Sequence, residues 1–273
     1  MARIIAVALP KGGVGKTTTS VNLAASLAVA EQRTLLIDLD TFGASGLSLG
    51  FNESNTKAGI YEVFSFVTGL NNAIHKTELS FLDFVPSNTQ SLQSEERLIR
   101  LSDNRSILKN CLRGVIDQYD YIILDCPPFL RGLSTNALIA ADSVLMPVKS
   151  GHFSLDALEK LFSFLDWLRE TAGKAIEVEG ILVTMFEGNT RINDLTVREL
   201  QTKHRKYMFE TMIPKNSILS EASFFGKPAI LYNVNSRGAV AYLALAKEII
   251  ARHTLRKGLP HKPGIFQKMS KQA

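Results

Sequence analysis

Nine residues near the start of the chain, Pro10-Lys11-Gly12-Gly13-Val14-Gly15-Lys16-Thr17-Thr18, constrain its fold more than any other stretch. An apolar run, Ile4–Leu9, leads straight into them, and a helical pattern, Thr17–Ala30, leads out. Glycines let successive backbone N–H groups converge on one anion, and the helix N-terminus adds its partial positive charge. Strand, glycine loop and helix in this order predict a phosphate cradle built from residues 11–18. In such a cradle Lys16 reaches the β- and γ-phosphates of a nucleotide, and Thr17 offers its hydroxyl to Mg²⁺.

The rest of the chain supplies the framework that such a loop needs. Ile4–Leu9, Thr34–Leu39, Phe81–Val85, Tyr121–Leu124, Ser143–Val148, Val178–Thr184 and Phe209–Ile213 read as strands. Most are near-continuous apolar runs, the pattern of strands covered on both faces. Helical patterns alternate with them at Thr17–Ala30, Ser102–Gln118, Leu155–Glu170, Asn193–His204 and Ser236–Arg252. This alternation predicts an α/β fold: one doubly wound, mainly parallel sheet flanked by helices. No composition break divides the body, so one domain is expected over 1–253, with 254–273 as a basic tail.

Composition adds little until the charge is located. The chain of 273 residues carries a formal net charge of +5. From Ala251 onward stand Arg252, Arg256, Lys257, Lys262, Lys268 and Lys271 with no acidic residue; without these six, 25 basic residues face 26 acidic ones. The basicity therefore belongs to the end of the chain. It suits an anionic partner, nucleic acid or membrane surface, and equally a solvated end kept soluble by charge. Cys111 and Cys126 form no CxxC pair, which fits a reducing cytosol. The apolar start runs directly into the glycine loop, unlike a signal peptide, and no apolar run approaches bilayer-spanning length.

Two acidic positions stand at strand ends, where open α/β sheets place ligands. One stretch reads Leu35-Leu36-Ile37-Asp38-Leu39-Asp40, the other Tyr121-Ile122-Ile123-Leu124-Asp125-Cys126-Pro127-Pro128. Asp125, after an apolar strand, matches a Walker B aspartate that holds Mg²⁺ through a water. From the sequence alone, Asp38 and Asp40 could also be cap or turn residues.

Lysine at position 11, ahead of the usual cradle lysine, resembles the deviant Walker A motif of the ParA/MinD superfamily of P-loop ATPases. Further segments in order extend the likeness to ParA/Soj-like partition ATPases over nearly the whole body. They include Asp40 with Gly43 and Gly46, Tyr119–Pro128, Asn136-Ala137-Leu138, Ile213-Pro214-Lys215-Asn216, Leu219-Ser220-Glu221-Ala222, Gly226-Lys227-Pro228 and Ser236-Arg237-Gly238-Ala239. The resemblance implies an ATPase with ATP and Mg²⁺ as cofactors that forms a homodimer when ATP binds. It implies that Lys11 crosses the dimer interface to the partner's ATP, that Asp40 orients or deprotonates the attacking water, and that Asp38 supports it. Pro214 and Asn216 would lie at the adenine end. It further implies a cytoplasmic protein on the nucleoid, non-specific DNA binding by the ATP dimer, and a ParB-like or other activating partner.

Departures from the family bear on the DNA partner. The usual Arg-Thr-Asn triplet is here Asn189-Thr190-Arg191, and an arginine expected within 216–219 is Ile218. Arg191, Lys215, Lys227, Arg237 and Lys247 are the cations expected to compensate, with Arg198, Lys203, Arg205 and Lys206 nearby; phosphate contacts need only placed cations. A MinD-like membrane-associated ATPase is the alternative, resting on Gly264–Met269. Pro260 and Pro263 and the small apolar area there make membrane binding the weaker expectation. An iron–sulfur reductase is disfavoured because neither cysteine sits in a glycine-flanked ligand motif.

Overall fold

A computed structural model describes residues 1–188 and 190–256. Among these residues seven strands form one sheet: β1 Arg3–Val7, β2 Thr34–Asp38, β3 His75–Lys76, β4 Leu82–Val85, β5 Tyr121–Asp125, β6 Ser143–Lys149 and β7 Glu177–Thr184. Their order is β3-β4-β2-β5-β1-β6-β7. Only the short β3, which the apolar pattern does not announce, runs antiparallel to its neighbour. β1 lies between β5 and β6, the strands around it pair in parallel, and helices cover both faces. The doubly wound α/β expectation therefore holds.

Burial on both faces follows from strand periodicity. Successive side chains of β1 point to opposite sides. Ile4 and Ala6 join one core with the helices Leu133–Ala140 and His152–Ala172; Ile5 and Val7 join another with α1 (Lys16–Val29) and the final helix, Arg237–Arg256. All five strands of the sheet centre have their phosphate-side ends together, because parallel pairing puts every carboxyl terminus on one edge. Asp38 of β2 is thereby paired in register with Asp125 of β5, and Val7 of β1 with the same Asp125.

Three expected elements depart from the sequence pattern, and the helix Leu92–Leu101 stands where none was expected. The helix expected over Ser102–Gln118 is only Ile107–Leu112, followed by a 3-10 turn at Ile116–Gln118. Asn136 explains the late start: its Nδ2 donates to Ser102 O at 2.7 Å and its Oδ1 accepts from Leu108 N at 3.4 Å. Phe209–Ile213 is not a strand; isolated bridges flank it, Met208 with Ile181 of β7 and Pro214 with Phe186 just past the end of β7. The final helix runs on to Arg256, past the expected end at Arg252. The tail from 257 on, including Gly264–Met269, lies outside the described residues, as does Asn189. Among the described residues no helix is long and apolar enough to cross a membrane.

Candidate functional site

The glycine loop needs backbone that ordinary residues resist. Gly13 and Gly15 have φ of 71° and 86°, the left-handed region that a side chain disfavours by roughly 1–2 kcal/mol. Gly12 and Gly13 are exposed, and a Cβ on either would meet nothing within 4 Å, so the mouth of the loop is open. Its floor is tied down from β7, where Thr184 Oγ1 donates to Val14 O at 2.8 Å. Gly15 then caps α1 at Lys16.

The two lysines of the loop have different fates. Lys16 is 7% exposed, and its Nζ donates to Lys11 O at 2.8 Å across the loop. Burial lowers its pKa, partly offset by the charges of Asp125, Cys126 and Asp40. Lys11, half-buried, contributes that carbonyl to the cradle, and its ammonium lies 5.2 Å from the centre of the Phe153 ring. Phe153 is itself 76% exposed.

Beside the loop lies a group of carboxylates, two of them buried. Asp125 is fully buried; its Oδ1 accepts from Ser20 Oγ at 2.9 Å and its Oδ2 from Ser45 Oγ at 2.8 Å, and Thr17 also hydrogen-bonds it. Burial pushes its pKa up to about 6, against the pull of those three hydroxyls. Asp38, also fully buried, accepts from Asp40 N and Ser45 N, both at 3.0 Å. Burial and then the charge of Asp125 push it well above the usual carboxylate range. Asp40 is half-buried at the lip, and its Oδ1 accepts from Phe42 N at 3.1 Å.

This donor set fits a nucleotide with a hard cation. Among the described residues, two buried carboxylates accompany one buried ammonium here, so the site favours added positive charge, and the oxygens it offers are those of hydroxyls and carboxylates. With both Asp125 oxygens already accepting hydroxyl hydrogens, that residue suits a water-mediated hold on Mg²⁺, with Thr17 as the direct ligand. Lys16, Thr17, Asp38 and Asp125 thus come together as the sequence reading requires, with Asp40 at the edge.

Comparison with known proteins agrees with the geometry. The family described as "AAA domain" matches residues 2–178. The chain is 42% identical over 254 residues to the chromosome partitioning protein ParA of Myxococcus xanthus (strain DK1622), covering 93% of this chain and 90% of that protein. It is 39% identical over 251 residues to the sporulation initiation inhibitor protein Soj of Bacillus subtilis (strain 168), covering 92% and 99%. The chain belongs to the ParA/Soj family. The septum site-determining protein MinD from Pyrococcus horikoshii OT3, solved with Mg-ADP, shares its fold with a TM-score of 0.78 at 22% identity, over 91% of this chain and 96% of that one. This ParA/Soj-family chain is a P-loop ATPase, and ATP with Mg²⁺ is the cofactor pair that its cradle fits.

Other residues named from the sequence are more scattered. Pro214 bridges to Phe186, and Asn216 caps the helix Ser217–Phe224; its Oδ1 is buried without a hydrogen-bond partner. Lys215 pairs with Glu187 at 3.1 Å, and Arg237 donates to Lys215 O at 3.2 Å, so these two cations are neighbours. Lys227 instead lies 3.7 Å from Glu78, just before β4 and on the far side of the sheet order from β7. Arg191 opens the helix Arg191–His204, and Lys247 sits on the final helix; both are exposed. Lys215 and Lys227 thus stand at opposite ends of the helix Ser217–Phe224.

Several supporting residues escape sequence reasoning. Ser20 and Ser45 hold Asp125, Tyr242 OH lies 3.1 Å from Thr19 Oγ1 on α1, and Asn22 Oδ1 accepts from Ala229 N at 2.8 Å. The only local signal was the turn glycine Gly43, two residues before Ser45. The remaining contacts bridge 80 to 223 positions of chain and leave no pattern in the sequence.

Proposed function

We propose that this chain is an ATP-driven dimerisation switch. It binds DNA non-specifically as the ATP dimer and hydrolyses ATP to ADP in the partitioning of a chromosome, plasmid or other cargo. A ParB-like or other activating protein stimulates hydrolysis, and the protein works in the cytoplasm, on the nucleoid when ATP is bound. The relatives named for chromosome partitioning support the cargo class.

One observation carries the dimer: Lys16 is buried in the loop, whereas the Lys11 ammonium lies over the exposed ring of Phe153. A second cradle lysine would crowd the same phosphates, whereas a cation at the lip can reach a second copy. In that arrangement Lys16 and the amides of 12–18 bind the phosphates, and Thr17 with Asp125 holds Mg²⁺. Asp40, at the lip and oriented through Phe42 N, positions a water and takes its proton, and Lys11 from the second copy stabilises charge on the transferring phosphoryl group. Pro214 and Asn216 receive the base, which the unpartnered Asn216 Oδ1 supports through its capacity to accept an amino hydrogen.

DNA contact is assigned to Arg191, Lys215, Lys227, Arg237 and Lys247, with no base reading. The test measures DNA binding with ATP across a salt series, on the full chain and a Lys11→Ala variant. Binding should weaken with a log–log slope of about −0.9 per phosphate neutralised. The variant should remain monomeric with ATP and lose the DNA affinity. DNA-blind ATP dimers at low salt would remove the DNA half, and a Lys11→Ala protein that dimerises normally would remove the role of Lys11.

A further inference from the structure

β7 and the segment 208–215 run side by side but advance by different amounts. Phe209 N donates to Ile181 O at 3.0 Å, and Ile213 N donates to Val183 O at 2.9 Å. Four residues of the segment therefore span two residues of β7, where a regular parallel ladder matches two with two. This is a bulge of two extra residues, and it explains why the apolar run Phe209–Ile213 is not a strand.

The backbone freed by the bulge is claimed by the final helix. Glu248 accepts from Glu210 N at 3.0 Å through one carboxylate oxygen and from Thr211 N at 3.1 Å through the other. Arg252, one turn on, donates to Glu248 and to Met208 O, the latter at 3.1 Å, and its guanidinium stacks over the Phe209 ring with 4.5 Å to the centroid. Past the bulge the pairing resumes. Phe186 N donates to Ile213 O at 2.9 Å, Lys215 N donates to Phe186 O at 3.1 Å, and Pro214–Asn216 leaves the end of β7 beside the phosphate loop.

We propose that Glu248 is a positioning residue for nucleotide recognition. By holding two surplus residues in the bulge, it sets the register at which Pro214 and Asn216 meet the base. The inference rests on the base-end assignment made above. Without the carboxylate, Glu210 N and Thr211 N lose their acceptors, and Thr211 N can take the place of Ile213 N on Val183 O. That slip of two residues displaces everything after it by about 6–7 Å along the strand direction. The loop and its phosphate contacts, tied to β7 through Thr184 and Val14, stay where they are.

Equilibrium binding of ATP and of inorganic tripolyphosphate to the full-length protein separates the two halves of the site. Glu248→Ala should weaken ATP by about tenfold, the loss of one to two hydrogen bonds to the base, and change tripolyphosphate by less than about twofold. Glu248→Gln, which keeps one acceptor oxygen, should fall between and carries the test if the alanine variant does not fold. Unchanged ATP affinity, or a parallel loss of both ligands, would overturn the proposal. Asn216→Ala tells the two failures apart. If it binds ATP normally, the base-end assignment falls and this inference with it; if it weakens ATP while the Glu248 variants do not, only the register role falls.

Discussion

The amino end of the sheet, opposite the phosphate loop, holds an ionic latch whose strength can be worked out and measured. Glu179 on β7 is buried; its Oε1 lies 2.9 Å from His253 Nε2 near the end of the final helix, and its Oε2 accepts from Ser143 Oγ at 2.7 Å and from Arg3 at 3.4 Å. Burial alone would raise its pKa, but the hydrogen bond and charge of His253, then Ser143 and Arg3, outweigh it and bring the group from 4.5 to about 2. At roughly 1.36 kcal/mol per unit, that depression corresponds to about 3 kcal/mol of stability. A depressed carboxylate contributes fully above its unfolded pKa and loses the contribution as pH falls through the folded one. The effect should therefore be complete above pH 4.5 and lost toward pH 2. Urea unfolding at pH values from 7 down to 2, on the wild type and Glu179→Gln, checks it. The wild type should be the more stable protein at pH 7, and the gap should close by about 3 kcal/mol on acidification. Parallel stability curves for the two proteins would show that Glu179 is not held ionised by this latch, and the argument from His253 and Arg3 would fail.

Other substitutions probe the nucleotide half. Lys16→Met should reduce ATP binding and turnover by about two orders of magnitude or more, read by equilibrium binding and phosphate release, since it removes the buried cation of the cradle. Asp40→Ala should lower hydrolysis by about 10²-fold or more while ATP-driven dimers form and persist in light scattering; rapid turnover would take Asp40 out of its role. Tyr242→Phe deletes the buried bond to Thr19 and should cost about 1 kcal/mol in a urea midpoint series, with the phosphate loop otherwise intact.

The sequence by itself determined the fold class and the chemical centre. Near-continuous apolar runs alternating with helical patterns point to strands covered on both faces, and a glycine loop between a strand and a helix points to a phosphate cradle. Lys16, Thr17 and Asp125 were legible for the same reason: each sits at a fixed offset from a local pattern. Residues whose roles depend on distant chain were not legible. Phe209–Ile213 has a strand's composition, yet the carboxylate of Glu248, 37 residues beyond Thr211, takes the amides that a ladder would have used. Asn136 shortened an expected helix in the same way, by bonding Ser102 and Leu108 from another element. The five proposed DNA-contact cations look like one basic group in the last third of the chain, and the fold carries Lys227 toward the β3–β4 edge of the sheet, against Glu78. Local pattern fixes backbone conformation over a few residues, because sterics and burial act there. The tertiary structure alone decides which buried donors find which acceptors, and on which surface an exposed charge emerges.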